Sequence, residues 1–189
     1  MGKKIGYLGP AGTFTEQAAL LYDPYAELIP FSSVSLIAES VDTGSTDEGV
    51  VPIENSLQGS VTETLDLLIH DTNLSIYREI VIPIEHCLLV KSDFKPSRLE
   101  IVYSHPMALG QCRRYLEENY SNAIATASLS TSAAVEDMLA SKKPAAAIGT
   151  ECASQLYDAV VLDRGIQDNK SNHTRFVVLA KSDHKATGT

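Results

Sequence analysis

The sequence predicts an α/β protein of two lobes. Three observations point there. The chain has 189 residues, between one and two domains at about 150 residues each. Short Val- and Ile-rich runs alternate with helically spaced apolar residues along most of it, the pattern of sheets with helices on their faces. One β-rich run, residues 74–90, breaks only around Pro83. It is too long for one ordinary strand and divides two strand-helix series.

Residues 5–8 read as a buried strand and Gly9-Pro10-Ala11-Gly12 as a turn. Thr13, with Glu16 three positions on, reads as the N-cap of a helix through Leu21. Residues 28–31 form a second strand, and Val34, Leu36, Ile37 and Val41 suit the buried face of a second helix. Residues 49–53 form a strand ending in polar Glu54-Asn55-Ser56, and Val61, Leu65, Leu68 and Ile69 repeat at helical spacing. After Asp93-Phe94-Lys95-Pro96 the second series begins with a strand at 101–103. A helix opened by Ser104-His105-Pro106 runs through Tyr120, followed by a strand at 123–126 and a helix at 131–140. A strand at 145–148, a short helix at 150–157 and strands at 160–162 and 176–179 complete the chain. Such alternation implies parallel sheets covered on both faces. The last strands are expected to return to the first lobe. Residues 1–79 with 160–181 then make a discontinuous first lobe, 80–159 an inserted second lobe, and 182–189 a polar tail, with the two crossovers as a hinge. In open α/β sheets a ligand sits beyond the carboxyl ends of the strands, where the polar motifs of this chain cluster.

Composition narrows the function. Apolar residues at 44% and charged residues at 21% are ordinary for a folded domain. Fifteen basic against 24 acidic residues give a net charge of −9. That argues against nucleic-acid and anionic-membrane partners, which select clustered Lys and Arg, and leaves a small anionic substrate open. Cys87, Cys112 and Cys152 are odd in number and lack Cys-x-x-Cys spacing, which suits reduced thiols in a cytoplasmic protein. The N-terminus has no signal-like apolar run, no segment reaches the ~20 apolar residues of a spanning helix, and Gly6 stands where myristoylation takes Ser or Thr. His70, His86, His105, His173 and His184 show no metal-binding spacing, and no phosphate loop or nucleophile elbow is present. No metal and no cofactor are expected. A homo-oligomer is left open.

Four short motifs sit next to the expected strands. Gly9-Pro10-Ala11-Gly12-Thr13-Phe14 allows close backbone approach and offers helix N–H groups to an anion, but taken alone it reads better as an ordinary strand-to-helix turn. Val51 to Ser56, with Gly59 beyond, gathers a carboxylate (Glu54), an amide (Asn55) and a hydroxyl (Ser56) at one strand end; three polar side chains exceed what one cap requires, which sets a binding role level with a capped loop. Ser104-His105-Pro106, with Gln111 and Cys112 following, opens a helix. A lone His at such a place is more often structural, and Cys112 falls in an apolar pattern. Asn172-His173-Thr174-Arg175-Phe176 precedes the last strand and offers a guanidinium for a carboxylate and a hydroxyl for a leaving oxygen; the alternative is a polar loop entering a strand, with Phe176 in the core.

Together and in this order, these motifs resemble the catalytic domain of prephenate dehydratases. The resemblance spans roughly residues 5–178. It implies a two-lobed fold like that of type II periplasmic binding proteins, with a cleft between the lobes. It also implies cofactor-free conversion of prephenate to phenylpyruvate, carbon dioxide and water in phenylalanine biosynthesis, a carbon–oxygen lyase reaction. By that resemblance Thr174 is the catalytic residue. Thr13, Glu54, Asn55, Ser56, Ser104, His105, Gln111, Arg175 and Phe176 are substrate-binding candidates. Aromatisation drives the reaction, so the residues must assist the leaving hydroxyl and bind the pyruvyl carboxylate. Thr174 takes the first task, with His105 or Glu54 as the alternative proton sources. Arg175, or the helix starts at Thr13 and Ser104, takes the second. Met107 departs from the family's usual Gln after Ser-His-Pro. Only 13 residues follow Phe176, too few for the ACT regulatory domain of many relatives, so no allosteric response to phenylalanine is expected. The chain starts directly at the first strand, which argues against a fused chorismate mutase. Arogenate dehydratase and a non-catalytic two-lobed binding module are the alternatives.

Overall fold

The strand-helix alternation folds into two α/β units, each around its own sheet. The computed structural model describes residues 2–95 and 99–183; Pro96, His184 and the end of the expected tail lie outside them. The first unit comprises the chain up to Pro10, Phe14–Pro83, and the chain from Asn172. The second comprises Ala11–Thr13 and Ile84–Ser171.

In the first unit, β1 (Lys4–Leu8) lies parallel to β2 (Glu27–Phe31) on one side and to β3 (Glu48–Asn55) on the other. The short β4 (Gly59–Ser60) folds back on the end of β3. Beyond β3 come β11 (His173–Ala180) and then β5 (Ser75–Pro83), both antiparallel to their neighbours. Helix α1 (Phe14–Tyr22) packs on β1, β3 and β5. Helix α2 (Val34–Thr43) starts at an N-cap, where the Ser33 side chain accepts from the Leu36 N–H, and stops at left-handed Gly44. It buries Val34, Ile37, Ala38 and Val41, the i, i+3, i+4, i+7 stripe, against Val51, Val177 and Leu179. Leu36 falls beside that stripe and is exposed, so the expected buried role is corrected. Helix α3 (Thr62–Asp66) gives way to a π-helical turn, Leu67–Asp71. The change of phase turns Ile69 outward, so the helical spacing of Val61, Leu65, Leu68 and Ile69 does not hold to its end.

In the second unit the order is β10-β6-β9-β7-β8. The strands are β6 (Cys87–Val90), β7 (Ile101–Ser104), β8 (Ile124–Ala127), β9 (Ala145–Gly149) and β10 (Val160–Arg164). The alternation of side chains across the sheet builds two cores. Leu88, Val90, Ala146 and Ile148 face Ala108 of α4 (Pro106–Gln111) and Cys112. Cys87, Leu89, Ala145 and Ala147 face α6 (Thr131–Ala140), through Ala134, Val135 and Met138, and Ala153 of α7 (Glu151–Leu156). Alanines at successive positions of β9 bring the helices close to the sheet. Burial pushes the thiols of Cys87 and Cys112 up, to about 11 and about 12, which keeps both protonated and unreactive.

Three expectations are corrected. Both sheets are mixed rather than parallel, because β11 and β6 enter their sheets against the local direction and apolar runs carry no sign of direction. The unit boundaries fall at 83/84 and 171/172 rather than 79/80 and 159/160. The strand Val160–Arg164 pairs antiparallel with β6 and belongs to the second sheet; its apolar residues would have suited either. The single helix expected from Pro106 to Tyr120 is two, α4 and α5 (Arg113–Asn119), broken at Cys112. There Asp168 intervenes: its N–H donates to the Gln111 carbonyl (2.7 Å) and its carboxylate accepts from the Arg114 and Tyr115 N–H groups that start α5.

Candidate active site

In the first unit the second and fourth motifs meet. Residues 173–175, expected to precede the last strand, are its first residues. Strand β11 runs antiparallel to β3, which sets Thr174 opposite Asn55 and Arg175 opposite Glu54. The amino end of β11 therefore lies beside the carboxyl end of β3. Residues 119 positions apart are joined side chain to side chain. The Asn55 Oδ1 accepts from the Leu57 N–H (3.0 Å) and the Gln58 N–H (3.1 Å), an Asx turn. With the carbonyl end so fixed, the amide end is fixed too. Its Nδ2 donates to Thr174 Oγ1 (2.9 Å), Asn172 Oδ1 (2.8 Å) and the His173 carbonyl (3.2 Å). Ser56 lies on the same end: its N–H donates to the His173 carbonyl, and its Oγ accepts from the His173 N–H, each at 2.9 Å. Thr174 is half-buried. Its oxygen accepts from Asn55, so its own proton points to another partner.

Successive strand residues face opposite sides of a sheet, and Arg175 turns away from Thr174. Its guanidinium pairs with Glu54 and, at 3.4 Å, with Glu79 of β5. The Glu54 hydrogen bond and charge, aided by Glu79, raise the Arg175 pKa further. Arg175 thus sits, exposed, between two carboxylates that compete with any ligand for its donors. Phe176 follows a bulge and is 1% exposed, a core side chain.

The second unit carries the remaining candidates. Ser104, fully buried at the end of β7, donates its Oγ proton to the Ile148 carbonyl (2.8 Å). It ties β7 to β9. His105 caps α4: its Nδ1 accepts from the Met107 N–H (3.3 Å). Met107 itself is exposed. Gln111, half-buried at the end of α4, has its Oε1 2.8 Å from Nε2 of His86. Thr13 follows Gly12, whose φ of +81° and close neighbours exclude a side chain: a Cβ there would lie 2.9 Å from Ser132 Oγ. The carbonyls of Ala11 and Gly12 accept from Ser132 Oγ (2.6 Å) and Thr150 Oγ1 (2.8 Å). The first motif is thereby anchored at the starts of α6 and α7.

Sequence reasoning missed three participants. Asn172 stood inside the fourth motif and is almost wholly buried against Asn55. Glu79, on an apolar strand, gave no signal. His86 entered only as one of five histidines without metal-binding spacing; burial pushes its pKa down, with the Gln111 bond acting in the opposite sense.

Comparison with known proteins adds to this geometry. A family model for prephenate dehydratase matches residues 5–184. The chain is 43% identical over 187 residues to the bifunctional chorismate mutase/prephenate dehydratase of Aquifex aeolicus, covering 98% of this chain and 51% of that protein. It is 39% identical over 179 residues to a prephenate dehydratase of Lactococcus lactis, covering 94% of this chain and 63% of that protein. The chain thus spans between half and two thirds of these curated relatives. A solved prephenate dehydratase from Arthrobacter aurescens, in complex with L-Phe, superposes with a TM-score of 0.89 at 33% identity, over 98% of this chain and 63% of that one. A family match over nearly the full sequence, with relatives at 43% and 39% identity, shows the family: the chain belongs to the prephenate dehydratase family.

Proposed function

We propose that this chain carries the dehydratase activity itself, a carbon–oxygen lyase reaction that takes prephenate to phenylpyruvate in the cytoplasm. The balance is simple. The ring carboxylate leaves as carbon dioxide, and its bonding electrons enter the ring. The ring hydroxyl leaves with one added proton as water, and the ring becomes aromatic. One proton is consumed, and no electrons are exchanged with a cofactor.

The observation that carries the reading is the Asn55–Thr174 hydrogen bond. A threonine hydroxyl is a very weak acid, and its use is to donate a hydrogen bond to the departing oxygen rather than to give up its proton outright. An N–H donated into Oγ1 polarises the O–H and strengthens it as a donor. It also fixes which way the proton faces, so little reorganisation is needed when charge develops on the leaving oxygen. Arg175, held by Glu54 and Glu79 on the opposite side of the strand, serves better as a brace than as the carboxylate anchor. The absence of any disulfide among the three cysteines supports the cytoplasmic assignment. Among the described residues no helix is long and apolar enough to cross a membrane.

The test is formation of phenylpyruvate from prephenate at neutral pH, with arogenate as the competing substrate and Thr174→Ala alongside. Loss of the donor should lower kcat by about 10²–10⁴-fold with an unchanged circular-dichroism spectrum. Wild-type turnover in Thr174→Ala would remove Thr174 from the mechanism. Preferential turnover of arogenate would reassign the substrate, and a folded protein that converts neither would leave a binding module.

A further inference from the structure

We propose that His86 is a positioning residue for Gln111: it fixes which end of the Gln111 amide is offered to the substrate. The proposal rests on the reading of the chain as a dehydratase in which Gln111 binds substrate.

His86 lies in the short link between β5 and β6 and is 3% exposed. Both of its ends are tied. Its backbone N–H donates to Gln167 Oε1 (3.0 Å), and its carbonyl accepts from the Ile166 N–H (3.1 Å). Its ring Nε2 is 2.8 Å from Gln111 Oε1. Gln111 is likewise held at two points, by His86 on its side chain and by the Asp168 N–H on its carbonyl. The backbone N–H groups of Ile166 and Asp168 and the side chain of Gln167 thus grip the histidine and the glutamine together, and the Asp168 carboxylate fixes the start of the next helix.

The chemistry of this pair is directional. Burial favours the neutral imidazole. A neutral ring that faces a carbonyl oxygen through Nε2 must carry its proton there. Gln111 Oε1 is then the accepting end, and its NH₂ group is the end turned the other way. Prephenate presents carboxylates, a ketone and a hydroxyl, so a side chain that binds it through its anionic groups must offer N–H. A Gln111 amide turned end for end would present an oxygen instead. Glutamine also has three rotatable side-chain bonds to immobilise, a cost met in advance when the buried ring holds it. The expected consequence lies in substrate binding, not in the bond-breaking step.

The test uses the whole chain and has two arms. Nitrogen-15 NMR of the histidine rings at neutral pH should show His86 as the Nε2–H tautomer. The Nδ1–H form would reverse the hydrogen bond and overturn the proposal without any substitution. In kinetics, His86→Leu should raise KM for prephenate roughly tenfold, the value of one hydrogen bond, with kcat changed less than about twofold. His86→Gln, which keeps an N–H donor of similar reach, should recover most of that loss even if His86→Leu folds poorly. In a Gln111→Ala background, His86→Leu should raise KM no further. An equal rise in both backgrounds, or a fall in kcat with KM unchanged, would overturn the proposal. A wild-type chain that converts no prephenate would overturn the activity reading and the role of Gln111 with it. An active chain with additive effects would overturn the His86 inference alone.

Discussion

Asn55 does two jobs with the two ends of one amide. Its oxygen accepts from the Leu57 and Gln58 N–H groups and closes the turn after β3; its nitrogen donates to Thr174. Asn55→Asp separates the jobs. The carboxylate keeps an acceptor for the turn but replaces the donor, so Thr174 would donate to it and turn its proton away from the leaving oxygen. We expect kcat to fall by about 10²-fold or more, and the urea midpoint to fall as well, because the new oxygen also faces the Asn172 Oδ1 and the His173 carbonyl that Nδ2 had bonded. Full activity in Asn55→Asp would show that the direction of this hydrogen bond is immaterial. The neighbouring Arg175 behaves differently. Its exposed pairs with Glu54 and Glu79 are of the kind that contributes little to folding, and, because it faces away from Thr174, Arg175→Ala should lower kcat far less than Thr174→Ala does.

Two buried polar residues govern how elements of the second unit hold together. Thr150 caps α7 by accepting from the Ala153 N–H (3.0 Å) and donates to the Gly12 carbonyl. Thr150→Ala loses the cap and strands a buried carbonyl, at a cost of about 2 kcal/mol. Thr150→Ser should recover most of it. Urea denaturation with unchanged m decides, and equal midpoints for the alanine and serine variants would refute the hydroxyl's role. His86 adds a pH dependence. Its folded pKa lies below the ordinary histidine value of 6.5, so the unfolded chain binds more protons there as the medium acidifies. The associated stability is fully present above about pH 6.5 and is lost as pH falls below it. Between about pH 7.5 and 5.5 the wild-type Tm should drop further than that of His86→Gln. Parallel drops would mean that His86 charges freely in the folded state.

Each unit has its own fully buried central strands and its own edges. β9 is buried along its whole length, as are Val177–Leu179 of β11, whereas β2 and β8 are sheet edges with partly exposed patterns. Native-state hydrogen exchange should therefore be slowest at two separate places, the amides of Ala145–Gly149 and those of β11, and fastest along β2 and β8. Protection that decays from a single site, with one of these strands among the fast amides, would show that the chain does not hold two cores. The four passages of the chain between units, at 10/11, 13/14, 83/84 and 171/172, make each unit's integrity depend on distant sequence. Thr174 meets Asn55 only because the chain returns to β3 after the second unit is complete.

The sequence alone was enough for the α/β class, the two-part organisation, most strand and helix positions and the four motifs. These depend on local periodicity and turn chemistry, which any short window of residues carries. It also marked Thr174, Asn55 and Gln111 through their place in ordered motifs. Tertiary structure decided what periodicity cannot encode. Strand direction depends on the path by which a strand arrives, so the mixed sheets and the transfer of Val160–Arg164 to the second sheet were not legible. The phase slip that exposes Ile69 and the break at Cys112 arise from a π turn and from Asp168, more than fifty residues from that break. Partners across long separations were hidden for the same reason. A carboxylate at Glu79 reads as a solvated strand residue until β11 brings Arg175 to it, and His86 reads only as one of five histidines without metal-binding spacing until the fold sets it against Gln111. Hydrogen-bond direction, on which the proposed chemistry turns, exists only once donor and acceptor share one place in space.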